Sequence, residues 1–247
     1  MGYTRKEVIG NQTLYHGDCL EIMVNIPAQS VDMILCDLPY GTTQCKWDIV
    51  LPFEALWEQW NRVAKNSAAI ILFGTEPFSS ELRLSNIKHF KYDWIWYKPK
   101  GTGFLNAKKQ PMRNHEIISV FYRKQCIYNA QKTDGHNRKV SFRKKELQSD
   151  VYGETKHDYL YKSTERYTQS ILNFSSDTQN SPLHPTQKPV GLCEYLIKTY
   201  THEGETVLDN CMGSGTTGVA CKNLNREFIG IEKDAAYFQT AKQRIAI

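Results

Sequence analysis

Apolar residues come in short unbroken runs, separated by stretches in which they recur at helical intervals. This is the pattern of strand–helix–strand units. Met33–Cys36 is one run, ending at Asp37, and Ala68–Phe73 is another, stopped by Gly74. Between them Phe53, Leu56, Trp57, Trp60 and Ala64 lie at helical spacing. Runs without polar alternation belong to a parallel sheet covered on both faces. Tyr92–Tyr97 and Ile117–Tyr122 predict two further strands. Regular signals return after Pro189, where Cys193, Leu196, Ile197 and Tyr200 mark a helix face. Glu205–Asp209 then predicts a strand, Cys211–Gly218 a glycine-rich turn and Val219–Leu224 a helix. Phe228–Ile231 predicts a strand ending at Glu232, and Asp234 caps a last helix.

From about 124 to 183 the apolar runs vanish, and polar, basic and tyrosine residues dominate, with Gly135, Gly153 and Pro182 as breakers. The stretch is too long for a plain loop in a compact domain. It reads as an inserted region, flanked by 1–123 and 184–247 as two halves of one domain.

Composition agrees with one large α/β core: 247 residues, 40% of them hydrophobic. A mean hydropathy of −0.52 and no apolar run of about 18 residues argue against a membrane-spanning helix. Met1–Lys6 leads into no apolar segment of the secretory kind. Seven cysteines without a CxxC pair argue against a disulfide framework or a zinc ribbon and for a reducing compartment. An intracellular protein is expected.

The net charge is +5, and its placement is uneven. Residues 101–150 hold eleven Lys and Arg against four acids, leaving 20 basic and 22 acidic residues elsewhere. A solvated lysine-rich face and a polyanion contact both fit this excess. The interleaved Tyr122, Tyr128, Asn129, Gln131, Asn137 and Phe142 favour nucleic acid.

Gly213, Gly215 and Gly218 form a G-x-G-x-x-G between a predicted strand and helix, and Glu232 follows at the end of the next strand. Such glycines let the backbone turn tightly and approach a ligand, and the acid is placed for ribose hydroxyls. Only 15 residues follow Glu232. The other strands of the sheet must therefore come from the N-terminal half, which permutes the chain relative to an ordinary dinucleotide-binding fold. Asp37-Leu-Pro-Tyr40 sits at the carboxyl end of a predicted parallel strand, where α/β sheets place ligand chemistry, although a proline turn that happens to begin with Asp would look the same.

Taken together, these motifs resemble those of amino-directed DNA methyltransferases of the permuted β class. Asp37-Leu-Pro-Tyr-Gly41, with Trp47-Asp48 after it, is similar to the family's (D/N/S)PP(Y/F/W) motif, with Leu38 where Pro is usual. Asp209–Gly218 resembles the S-adenosylmethionine motif, His184-Pro-Thr-Gln-Lys-Pro189 the segment before it, and Gly17-Asp-Cys-Leu20 the N-terminal motif. The resemblance spans residues 17–234 in the β-class order.

It implies a permuted Rossmann-like methyltransferase fold with a mostly parallel sheet and an inserted target-recognition region. Residues 1–123 would be the catalytic half, 124–183 the recognition insertion and 184–247 the S-adenosylmethionine-binding half. The implied reaction is methyl transfer from S-adenosylmethionine to adenine N6 in a specific sequence of double-stranded DNA. Cytosine N4, or adenine in RNA, is the alternative. Asp in the first motif position favours adenine, and no Pro-Cys pair supports cytosine C5 chemistry. The Asp37 carboxylate and Pro39 carbonyl would accept the two amino hydrogens, and Tyr40 would stack on a flipped base.

For the cofactor, the resemblance implies Asp18 and Cys19 near the adenine and Glu232 on the ribose. Asp209, Met212, Gly213, Ser214, Gly215, Thr216 and Thr217 would line the methionine moiety, with His184, Thr186 and Lys188 closing over it. Lys108, Lys109, Arg113, Arg138, Lys139, Arg143, Lys144 and Lys145 are the expected DNA contacts. No metal is expected: His115-Glu116 has no second ligand pair at a suitable spacing. Duplex DNA at a cytoplasmic nucleoid is the expected partner, with no membrane. A homodimer and a cognate restriction endonuclease are left open.

Overall fold

The computed structural model describes residues 3–42, 48–143, 148–149, 153–154, 159–175 and 187–247. It divides into two compact units, 1–129 with 170–247, and 130–169. The first unit begins β1 (Tyr3–Ile9), β2 (Gln12–Gly17), α1 (Cys19–Met23), β3 (Val31–Cys36), α2 (Phe53–Val63) and β4 (Ala64–Gly74). It continues through α3 (Phe78–Ser85), β5 (Phe90–Thr102) and β6 (Arg113–Phe121). The second unit holds β7 (Lys139–Arg143), β8 (Gln148–Ser149), β9 (Gly153–Glu154) and β10 (Tyr159–Ser163). The chain then returns through β11 (Ile171–Asn173), α4 (Val190–Tyr200), β12 (Thr206–Asp209), α5 (Thr216–Asn223), β13 (Glu227–Glu232) and α6 (Ala235–Ala246).

Nine strands form one sheet in the order β1-β2-β13-β12-β3-β4-β6-β5-β11. Its centre, from β2 through β13, β12 and β3 to β4, is parallel, and β6 pairs antiparallel with both β4 and β5. The apolar runs are explained by burial on both faces. Along β3, Met33 and Leu35 enter one core layer while Ile34 and Cys36 enter the other. On β4, Ala69, Ile71 and Phe73 alternate in the same way with Ala68, Ile70 and Leu72. Helices α4, α5 and α6 supply the first layer, through residues such as Leu196, Ala220 and Phe238. Helices α1, α2 and α3 supply the second, with Ile22, Trp60 and Leu82.

This is the expected permuted, mostly parallel α/β sheet. Strands β12 and β3 are neighbours at its centre, and the chain leaves them in opposite directions, one through α5 to β13 and the other through α2 to β4. That divergence is a topological switch point, where the carboxyl ends of the strands leave a crevice. Asp209 closes β12 and Asp37 follows β3, so both open onto it.

Two features depart from the pattern of apolar runs. Residues 3–17 form a hairpin, β1–β2, with Ile9 opposite Gln12 and a two-residue Gly10-Asn11 turn in which Gly10 has φ +57°. Strands β5 and β6 also run beyond their apolar segments, through polar residues as far as the Thr102–Arg113 pair. In the second unit β7 and β10 pair antiparallel, Lys139 opposite Ser163 and Arg143 opposite Tyr159. Residues 124–129 and 170–175 group with the first unit: Asn129 donates to the carbonyls of Lys198 and Thr201, and β11 extends the sheet beside β5. Among the described residues no helix is long and apolar enough to cross a membrane.

Candidate active site

A cavity of about 580 Å³ opens at the switch point. Asp37, Tyr40, Lys188, Asp209 and Glu232, far apart in sequence, all line it. So do Asp18, Cys19, Pro39, Met212, Gly213, Ser214, Thr216 and Thr217. Gly215 does not line it. With φ +80°, it brings the start of α5 against α6, and a Cβ there would lie 2.8 Å from that of Ala241.

The turn after β3 is tied down by a residue downstream. The Asp48 carboxylate accepts from the Gly41 amide at 2.8 Å and the Thr42 amide at 2.9 Å. Both oxygens of Asp37 are also engaged. Oδ1 accepts from the Tyr40 hydroxyl at 2.5 Å, and Oδ2 from Lys188 Nζ at 2.5 Å. The Tyr40 ring rests on Phe78, their centroids 5.0 Å apart.

Lys188 also lies 3.3 Å from Glu116 Oε2, and Lys98 pairs with Glu116 Oε1. A chain of alternating charge therefore runs Lys98–Glu116–Lys188–Asp37, with the Lys188 ammonium over the rings of Phe73 and Tyr40. Burial opposes the charges on Glu116, Lys188 and Asp37, and the neighbours decide the balance. Glu116 faces two lysines, which outweigh burial and hold its carboxyl below the usual range. For Lys188, burial is outweighed by the Asp37 and Glu116 carboxylates, which push it up. For Asp37 burial wins over Lys188, and its carboxyl sits above the ordinary aspartate range. Glu116 belongs to this chain, which accounts for an acid at the head of an apolar strand. Its partners Lys98 and Lys188 are 18 and 72 residues away, so sequence spacing carries no signal for it.

The other half of the cavity is acidic. Asp209 takes hydrogen bonds from Thr217 Oγ1 at 2.7 Å and the Cys211 amide at 3.1 Å. Burial nonetheless pushes its carboxyl up to about 7. Glu232 accepts from the Gly213 amide at 2.8 Å and the Asp234 amide at 2.7 Å. Burial raises it too. Asp18 caps α1 through the Leu20 amide and pairs with Lys233 at 3.0 Å, so it is both a helix cap and a cavity wall. Ser214 and Thr216 accept from Arg244 of α6, which clasps the glycine loop from outside.

A family model for N6 and N4 methyltransferases, described as DNA methylase, matches residues 31–243. The chain belongs to this family. Among curated relatives, the type II methyltransferase M.HpaI of Haemophilus parainfluenzae is 27% identical over 95% of this chain and 74% of its own length. M.BglII, described from Bacillus subtilis, is 29% identical over 93% of this chain and 68% of its own. The crystal structure of an M1.HpyAVI complex with S-adenosylmethionine superposes with a TM-score of 0.67 at 25% identity, over 96% of this chain and all of that one. The cytosine-N4-specific PvuII methyltransferase reaches a TM-score of 0.70 at 16% identity, over 98% of this chain and 89% of its own, and shows the shared fold.

This amino DNA methyltransferase uses S-adenosylmethionine, and the cavity suits it. Its volume lies in the range of small-molecule sites. Asp18, Asp209 and Glu232 line it with hydrogen-bond acceptors, matching a ligand rich in amino and hydroxyl groups. Each Glu232 oxygen takes one backbone amide and keeps a second lone-pair site for a hydroxyl. Gly230 sits so tightly under Met212 and Phe228 that a Cβ would overlap both.

Two of the expected cofactor residues, His184 and Thr186, lie outside the described residues, as do Lys144 and Lys145 among the expected DNA contacts. Lys108, Lys109 and Arg113 are exposed on the β5–β6 connection of the first unit, and Arg138 and Lys139 are exposed on the second. Arg143 ends β7. Among the described residues no group of three or more His, Cys, Asp or Glu side chains is placed to hold a metal.

Proposed function

We propose that the protein methylates adenine N6 at a specific sequence of duplex DNA, as the modification partner in a restriction–modification system. The observation that carries this reading is Asp37, heading the Asp-Leu-Pro-Tyr turn in the cavity with one oxygen fixed by a lysine and the other held, among the described residues, by a tyrosine hydroxyl. An exocyclic amine is a poor nucleophile because its lone pair is delocalised into the ring. Accepting both of its hydrogens draws the nitrogen toward tetrahedral geometry and aims the lone pair. The Pro39 carbonyl supplies one acceptor. Asp37 Oδ1 supplies the other once the incoming N–H replaces the Tyr40 O–H, while Lys188 keeps Oδ2 in place.

Asp in the first motif position supports adenine over cytosine. Tyr40, released from Asp37, offers its ring to a flipped base. Bound S-adenosylmethionine supplies an electrophilic methyl group, held by Asp209 and the 213–217 loop, with Glu232 on its ribose and Asp18 near its adenine. The rest of catalysis is alignment of the amine with the methyl group. The amine proton turns acidic as the new bond forms, so Asp37 need not be a strong base. In this reading 1–123 and 184–247 are the catalytic and cofactor halves, and the region around 130–169 reads the target. The type II designation of the relatives supports the restriction–modification role.

The test is transfer of label from methyl-tritiated S-adenosylmethionine to plasmid DNA. Wild type labels the DNA. Asp37→Ala does not, yet binds S-adenosylmethionine normally by calorimetry. Undiminished labelling by Asp37→Ala overturns the assignment.

A further inference from the structure

The connection between β5 and β6 ends in an ordered apolar tip. Gly103, at φ +90°, starts a 3₁₀ turn over Phe104–Asn106. The turn is closed by hydrogen bonds from the Asn106 amide to Gly103 and the Ala107 amide to Phe104. It is extended by those from Lys109 and Gln110 to Asn106. On this built turn Phe104 is 77% exposed and Leu105 97%. Either side chain would gain by leaving water. Lys100, Lys108, Lys109 and Arg113 flank the tip along the chain, and no acid lies between Lys98 and Glu116.

The tip projects from the sheet edge that bears the site. Gly74, the last residue of β4, pairs with Ile117, so β6 continues past the end of β4 as far as Arg113, whose side chain reaches the Glu76 carbonyl. Strand β6 lies two positions from β3 and Asp37, a lateral distance of roughly 10 Å. The Lys98–Glu116 pair at the root of the connection is also the outer end of the ion chain on Asp37.

We propose that Phe104 and Leu105 form a wedge that enters the duplex beside the target base and fills the gap left when that base turns into the cavity. The inference rests on the proposed reaction with duplex DNA. A base taken from the stack leaves two apolar base faces without a neighbour, which costs stacking energy. An apolar side chain recovers part of that cost, and the flanking cations meet phosphates on either side of the gap. Apolar tip and basic collar together match this occupant. A second copy of the chain would bring the same four cations against themselves.

The test uses the Phe104→Ala, Leu105→Ala double variant, whose truncated side chains are exposed and whose unfolding temperature should equal that of wild type. The substrate is an oligonucleotide duplex carrying a sequence that the protein methylates in an expression host. It is compared with the same duplex mismatched opposite the target base, where little pairing remains to be broken. In single turnovers the variant should be at least about tenfold slower on the matched duplex, a loss equivalent to about 1.4 kcal/mol, and lose clearly less on the mismatched one, where the base leaves the helix so readily that turning it out no longer sets the rate. Equal rates for both proteins on both duplexes overturn the wedge alone, and so does an equal loss on both. So does a dimer in wild type that the variant lacks, which would assign the tip to self-association. If wild type transfers no methyl group to either duplex, the proposed reaction falls and the wedge falls with it.

Discussion

Replacing Lys188 with Met removes the ammonium that links Asp37 to Glu116 and leaves two buried carboxylates facing a methyl group. Two unit charges 4 Å apart interact by about 4 kcal/mol at an effective dielectric of 20, and Lys188 stands within that distance of both acids. Removing one partner of such a buried pair costs about 3–5 kcal/mol. In a chain of this size that lowers the unfolding temperature by roughly 6–20 °C. The pH profile carries the functional consequence. Lys188 is the group that restrains the upward pull of burial on Asp37. Without it the carboxyl rises further, and the ionised form accepts an N–H far more strongly than the neutral acid. The acid limb of kcat/KM must therefore move to higher pH, with activity partly regained in alkaline buffer. Adding Glu116→Gln removes the second carboxylate and should restore part of the stability, because the two losses share one interaction. The assays are thermal unfolding and methyl transfer across pH 5 to 10. A folded Lys188→Met protein with the wild-type acid limb would refute the reasoning.

Glu232→Ala should weaken S-adenosylmethionine binding by about 1.5–3 kcal/mol, the worth of charge-assisted hydrogen bonds, and calorimetry reads this directly. Asp209 holds its proton in the folded protein up to about pH 7, whereas an exposed aspartate loses it near pH 4. Between these values the folded state binds the extra proton, so stability falls as pH rises, by about 1.4 kcal/mol per pH unit. Asp209→Asn should abolish that slope in unfolding experiments, and cation binding beside Asp209 in wild type should strengthen toward pH 8. Changing Lys108 and Lys109 to Gln should lower the slope of log K against log salt for DNA by about 0.9 for each phosphate no longer neutralised, leaving the target sequence unaltered.

The fold was legible because its central strands are buried on both faces, so Met33–Cys36 and Ala68–Phe73 are continuous apolar runs. The β1–β2 hairpin was less so. Its edge strand β1, with Thr4-Arg-Lys-Glu7, is polar, and only Gly10-Asn11 marks the turn. The polar ends of β5 and β6 are strands because they pair with each other, which no window along one strand reveals. At the site, residues fixed by backbone geometry stood out: the glycine loop, the acid after each strand, the proline turn. Residues fixed by partners did not. Glu116 reads as one acid before an apolar run, and Lys98 as one of many lysines. They acquire meaning only when β5, β6 and the segment before α4 converge on Asp37. Asp48 is similar, its importance lying in two amides that it clasps six and seven residues back.

The most direct measurement is the identity of the methylated base. DNA labelled by the purified protein is digested to nucleosides and separated against standards. Label should appear as N6-methyldeoxyadenosine and nowhere else, and Asp37→Ala should yield none. Label recovered as N4-methyldeoxycytidine would contradict the adenine assignment drawn from Asp37. Label absent from DNA altogether would contradict the reaction itself.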